Sequence, residues 1–356
     1  MVVDTVRSVY LAFDGTTVFG PSSNSTSIDL RQRDPNDPKV KRILSHAFQN
    51  SRFASVLLPG SVEYIGECAF YNSELTTLLL PESVKYIGDD AFSQSNLTTL
   101  RLPASVAHVG NGAFQNSPLI RLDLSSSLVT HIGDDAFIAS MLRTLVLPDT
   151  VEYIGKGAFE NSKLETLVLP NSLNFIGACA FWASALTALE LPDSLRVIGF
   201  RAFCNSRLIT LVVPDSVKHI GDQAFYYSRL ATLKLSDSVE EIGDGAFCYS
   251  KLITLVVPDS VKYIGDKAFY CSRLATLKLS DSVKYIGDKA FYRSQLAESS
   301  MGGETTCIVC FQGDKTHAAV PCGHQTVCGP CSKMLKACPV CRAKAQLWMH
   351  TCGSRE

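Results

Sequence analysis

AFYNSELTTLLLPESVKYIGDD, residues 69–90, decides the fold, because the chain repeats it with small changes. The Ala-Phe pair recurs with Phe at positions 48, 70, 92, 114, 137, 159, 181, 203, 225, 247, 269 and 291. Each interval is 22 residues, except one of 23 after Phe114. Three residues beyond every Phe stands a Ser, from Ser51 to Ser294. Then come a Leu (Phe53 in the first unit), a short Leu-x-Leu run, usually Pro, a Ser-Val or variant, and Ile-Gly. A period of this length marks a solenoid. One unit is too small to bury its own apolar side chains, so each must stack on the next.

Alternation within the Leu-x-Leu run assigns the faces. Leu78, Leu80, Leu100 and Leu102 are expected to point inward, and Thr77 and Leu79 outward. The Phe and Ile rows and the Val84-type positions complete the core. Gly88, Gly110 and their equivalents are expected to supply a positive-φ turn that a Cβ would disfavour. The Ser row after each Phe is expected to bond to a neighbouring turn's backbone. The outward face carries a Thr row and a second row containing Val146, Val168 and Val212. β-branched residues suit exposed strands in any case, but a stripe of exposed apolar side chains also suits a protein-binding surface. His46, His108, His131 and His219 fall at unrelated or convex positions and are assigned no ligand or base role.

The motif LxxLxLPxSVxxIGxxAFxxS over residues 43–296 resembles the BspA-like, or Treponema-type, leucine-rich repeats. The resemblance implies a leucine-rich-repeat solenoid of short parallel strands and turns, mostly β. It also implies a protein-binding role, since members of that family bind other proteins or cell surfaces. No catalytic constellation appears among the repeats.

Charge adds exclusions. The formal net charge is −1, which gives no bulk attraction to nucleic acid or to an anionic membrane. No apolar run approaches the ~18 residues that span a bilayer. The N-terminus is interrupted by Asp4 and Arg7 and lacks a signal-like apolar stretch. The expectation is a cytoplasmic protein with no nucleic-acid or membrane partner. The expected layout is an irregular N-terminal cap at 1–42, with a short hairpin around Val9–Val18. Twelve units at 43–296, a linker at 297–304, a zinc domain at 305–346 and a tail at 347–356 follow.

Cysteine usage sets the end of the chain apart. Five of the thirteen cysteines are scattered before residue 300 and eight crowd between Cys307 and Cys352. The scattered ones read as reduced thiols. The others follow a spacing: Cys307-x2-Cys310, then Cys322-x-His324, Cys328-x2-Cys331 and Cys338-x2-Cys341. A tight Cys-x2-Cys turn brings two thiolates to about 2.3 Å from one zinc. Four pairs make two closed tetrahedral sites, so two structural zinc ions are expected. Neither has an open position for hydrolysis. A domain this small has little core and needs such staples.

Three Cys, one His and four Cys, in that order, resemble the RING family, especially the C-terminal RINGs of inhibitor-of-apoptosis proteins. Those share the PCGH-x3-C-x2-C and CPxCR wording of residues 321–331 and 338–342. The resemblance implies a small α+β cross-brace domain. One ion would be held by Cys307, Cys310, Cys328 and Cys331, the other by Cys322, His324, Cys338 and Cys341. It implies a ubiquitin-protein ligase that recruits a ubiquitin-charged conjugating enzyme, with no covalent intermediate on this chain. Val309, Leu335 and Pro339 match the family's contacts to that enzyme. Arg342 matches the residue bridging the enzyme and ubiquitin, where a planar guanidinium suits several carbonyl acceptors. The repeats would hold an unidentified protein substrate. A non-catalytic interaction scaffold is the alternative. Related RINGs carry an Ile three residues after this Arg and a late aromatic that supports dimerisation. Ala345 and the early Trp348 depart from that, so no dimer is inferred.

Overall fold

The computed structural model describes residues 9–10, 18–19, 26–31, 41–280, 282–294, 317–320, 325–327, 329–335 and 347–350. Two compact units divide the chain, Met1–Ala185 and Leu186–Glu356. Within each, the repeats form a parallel β-solenoid.

In the first unit a ladder of two-residue strands runs through Tyr64–Ile65, Tyr86–Ile87, His108–Val109, His131–Ile132, Tyr153–Ile154 and Phe175–Ile176. Arg42–Ile43 starts it. Three-residue strands pair on another face, as Ser27–Asp29 with Ser55–Leu57 and Thr77–Leu79, and Thr144–Val146 with Thr166–Val168. The second unit repeats the plan, from Val197–Ile198 to Tyr285–Ile286 on one face. On the other face Thr210–Val212 pairs with Thr232–Lys234, and Thr254–Val256 with Thr276–Lys278. Like residues stand in register because the period is fixed.

The core is built in rows. Every Phe of the repeat from Phe48 to Phe269 is fully buried, together with the Ile and Val84 rows. Successive rings stack nearly parallel, with centroids 5.3 Å apart for Phe225 and Phe247. Burying each ring contributes roughly 1.5–3 kcal/mol. Leu80, Leu100 and Leu102 are buried, Leu78 is half-buried, and Leu79 is 75% exposed. The alternation assigned from the sequence therefore holds, with Leu78 less enclosed than its row.

The glycine expectation is corrected. Gly88 and Gly110 do not adopt positive φ; a Cβ on Gly88 would meet Glu67 N at 2.8 Å and Ile65 O at 3.0 Å. This glycine permits close approach of consecutive turns. The left-handed residues sit elsewhere, two before and two after each Phe, as at Asp90 (φ 52°) and Gln94 (φ 56°). Most are not glycine, and each such conformation costs roughly 1–2 kcal/mol. Their N–H groups are turned along the stack: Asp90 N donates to Asn111 O at 2.8 Å and Gln94 N to Gln115 O at 2.7 Å. Between them Phe92 N donates to Ala113 O at 2.7 Å.

The serine expectation is corrected too. In the row after each Phe, Ser117 Oγ donates to Phe114 O of its own turn, while the buried Ser73, Ser95 and Ser140 hydroxyls have no partner. Hydroxyls of the Ser-Val position do bond across turns: Thr150 to Val129 O at 2.7 Å and Ser172 to Val151 O at 2.6 Å.

Segment 1–42 is less separate from the repeats than the sequence suggests. Val9–Tyr10 pairs with Val18–Phe19 as an antiparallel hairpin, but Ser27–Asp29 is already a parallel ladder strand. Leu30 is buried beside it. At the other end His317–Val320 is the central strand of a small antiparallel sheet, flanked by Gln325–Val327 and Leu347–His350. Leu347–His350, read from the sequence as tail, is thus part of that sheet. A helix spans Gly329–Met334, with Pro330 in its first turn, where no N–H is needed. The linker 297–304 lies outside the described residues.

Candidate functional site

The zinc module is positioned by these few elements. The strand Gln325–Val327 occupies the chain between His324 and Cys328, and the helix carries Cys331. Cys331 and Val327 are both fully buried. Leu335 directly follows the helix and is half-buried. Cys307, Cys310, Cys322, His324, Cys328, Cys338 and Cys341, together with Val309, Pro339 and Arg342, lie outside the described residues. Thiolates with one imidazole are the donor set of a closed tetrahedral zinc site.

The outward strand face is the second candidate. Val146 and Val168 are register partners, 58% and 50% exposed. Leu79 and Val256 carry the same exposed row within the two units. Val212 is 59% exposed but belongs to the second unit, where its register partner is Lys234. The structure thus brings together the first pair and places Val212 in a mixed apolar and basic setting.

Sequence reading missed a groove of about 700 Å³ in the second unit. Tyr226, Tyr249, Tyr270 and Tyr292 line it beside Arg201 and Lys289. Its aromatics come from the positions just after each Phe, which vary along the chain and so carried no periodic signal. Tyrosine and arginine are enriched at protein contacts.

His108, His219 and Cys248 sit in structural settings. His108 stacks on Tyr86 with ring centroids 4.5 Å apart, and burial lowers its pKa. His219 Nδ1 meets Glu241 Oε2 at 3.1 Å on the surface. Burial, then Cys271, pushes the Cys248 thiol up to about 12, which removes it as a nucleophile near neutral pH. No helix among the described residues is long and apolar enough to cross a membrane.

Comparison with known proteins places both parts. The family model for the BspA type leucine rich repeat region matches residues 41–163, 130–210 and 196–311. That for the C3HC4 type zinc finger, or RING finger, matches residues 303–347. A leucine-rich repeat protein from Bacteroides ovatus ATCC 8483 shares the fold, with a TM-score of 0.50 at 20% identity over 82% of this chain and 92% of that one.

Over a short segment the chain is similar to E3 ubiquitin-protein ligase IAP-3 of Orgyia pseudotsugata multicapsid polyhedrosis virus, 38% identical over 13% of this chain and 18% of that protein. It is also similar to E3 ubiquitin-protein ligase SPL1 of Arabidopsis thaliana, 42% identical over 14% and 15% of the two chains. Baculoviral IAP repeat-containing protein 7 of Xenopus tropicalis matches at 48% identity over 11% of each. The chain spans less than a fifth of the length of these curated relatives. A RING finger implies zinc binding. The chain belongs to the BspA-type leucine-rich-repeat family and ends in a RING-type zinc finger.

Proposed function

We propose that the protein is a RING-type ubiquitin-protein ligase whose repeats hold a protein substrate. The observation that carries this is the C-terminal RING match, joined to similarity with proteins named as E3 ubiquitin ligases. The division of labour follows from the two parts. A solenoid repeats one surface many times and suits binding. A zinc module with all ligand positions filled suits positioning rather than hydrolysis.

In this reading Cys307, Cys310, Cys328 and Cys331 hold one zinc ion, and Cys322, His324, Cys338 and Cys341 hold the other. Bound zinc supplies folding free energy to a domain too small for a large core. Val309, Leu335 and Pro339 contact the conjugating enzyme. Arg342 bridges it to ubiquitin and restrains the thioester for attack by a substrate lysine. Acceleration comes from orientation, a large lever when a reactive thioester is already present. The half-buried Leu335, directly after the helix, supports its part in such a contact. Val146, Val168 and Val212 contribute to the substrate face.

Autoubiquitination with purified ubiquitin, activating enzyme and a panel of conjugating enzymes tests the proposal. The wild-type protein is expected to form conjugates, and Arg342→Ala and Cys307→Ser to form few. Equal conjugate levels in all three proteins would overturn it.

A further inference from the structure

The strongest unassigned chemistry lies at the start of the repeats, far along the sequence from the RING. His46 and Cys68 occupy the same place in consecutive units, two residues before Phe48 and Phe70. Both backbones are left-handed, with φ of 62° and 51°. His46 N donates to Glu67 O at 2.9 Å and Cys68 N to Asp89 O at 2.9 Å. The two side chains are therefore held in one row, with Glu67 next to Cys68 in sequence. The ligand atoms of His46, Glu67 and Cys68 all lie within 4.8 Å of one another, and no other such group of three occurs among the described residues.

We propose that His46, Glu67 and Cys68 form a divalent-metal site, fitted to zinc, that clips together the first two Ala-Phe turns. One imidazole, one carboxylate and one thiolate are ligands that zinc accepts together. Ligands placed about 2.0–2.3 Å from a tetrahedral ion stand about 3.5 Å apart. Small rotamer adjustments reach that from the observed cluster. Gln49 Oε1 lies 3.1 Å from His46 Nδ1. With that oxygen as acceptor, Nδ1 carries the proton and Nε2 keeps its lone pair for the metal. Such an outer partner fixes the ring of a metal-bound histidine.

The position explains the use. Among the described residues the first Ala-Phe turn is the outermost of its row, with an Ala-Phe neighbour on one side. An ion bound to the folded state alone stabilises it by mass action. Later units do not reproduce the set: the same position holds Asp90, Gly112, Asp135 and Gly157 in the next ones. The metal clip is independent of the ligase reading.

The test uses the full chain, equilibrated at micromolar free zinc, with zinc per chain measured for wild type, His46→Ala/Cys68→Ala and Glu67→Gln. All RING ligands are common to the three proteins, so differences isolate this site. The double variant is expected to hold one ion fewer per chain. Glu67→Gln is expected to need several-fold more free zinc for the same occupancy. A cobalt titration should show thiolate charge-transfer intensity in wild type beyond that of the double variant. Equal metal content across the three, with equal cobalt spectra, overturns the proposal. An unfolding midpoint that zinc raises in wild type and leaves unmoved in the double variant supports it.

Discussion

Gly88 lies so close to Glu67 that a Cβ on the glycine would stand 2.8 Å from the Glu67 nitrogen. The obstacle is backbone, which no rotamer change relieves. Gly88→Ala is therefore expected to destabilise the solenoid by about 1–3 kcal/mol, as overpacking does. A Cβ on Gly60 would have nothing within 4 Å, so Gly60→Ala should stay within about 0.5 kcal/mol of wild type. Urea unfolding followed by circular dichroism checks both, and equal midpoints for the two variants would refute the close-approach reading.

The buried ring column gives a second prediction. Phe137 is sandwiched between Phe114 and Phe159, with centroids 5.3 Å and 5.4 Å away. Phe137→Ala removes a fully buried ring and both stacking partners, and a loss of about 3–5 kcal/mol is expected. The same urea experiment measures it. A loss below that of Gly88→Ala would mean that the turns collapse around the cavity.

His108 gives a pH dependence. Burial lowers its pKa below 6.5, outweighing the opposing pull of Asp89, with His131 lowering it further. The unfolded chain then binds the proton more readily than the folded one. Stability from this group is complete above about pH 6.5 and is lost as pH falls below that value. The same row already accepts a phenyl ring at Phe175, so His108→Phe is a compatible change. It should flatten the unfolding midpoint between about pH 7 and pH 5. An unchanged slope would assign the dependence to other groups.

What was legible in the sequence is what repeats in apolar side chains. Phe, Ile and Leu recur at a fixed spacing, so their burial and the parallel register follow from stacking alone. The purpose of Gly88 was not legible, because close approach and positive φ both select glycine. The left-handed positions were hidden for the opposite reason: His46, Cys68, Arg201 and Lys267 hold them without glycine. Ser27–Asp29 was missed because its unit lacks the Ala-Phe and Ile-Gly marks. Its membership shows only in pairing with Ser55–Leu57. The zinc finger was legible as a motif, matched at residues 303–347, because metal coordination constrains order along the chain. The aromatic groove lined by Tyr249 was not, because its residues come from variable positions in several units.

Metal removal should separate the two parts of the chain. RING folding depends on zinc, whereas the solenoid is held by buried Phe, Ile and Leu rows. A strong chelator is expected to abolish the conjugating-enzyme binding proposed for the RING while leaving the main unfolding transition in place. Calorimetry and a pull-down on the same sample check this. Loss of the main transition on chelation would tie the solenoid to the metal far beyond a clip at its first turns.

The strand face can be tested against the tyrosine groove, because they are chemically different surfaces. Val146 and Val168 are neighbours across one parallel pair, and both are at least half exposed. Glu at both positions puts two like charges side by side on that face and removes its apolar contact. Neither side chain is part of the buried core, so the fold should hold. Tyr249 instead stacks on Tyr227 at 4.3 Å beside the groove. Crosslinking of the full chain in cells, followed by identification of captured proteins, compares Val146→Glu/Val168→Glu with Tyr249→Ala. If the strand face selects the substrate, the valine variant loses the captured protein at least tenfold and the tyrosine variant retains it. The reverse outcome would move the substrate to the groove, since a partner packed on valines cannot accept two carboxylates there without losing affinity.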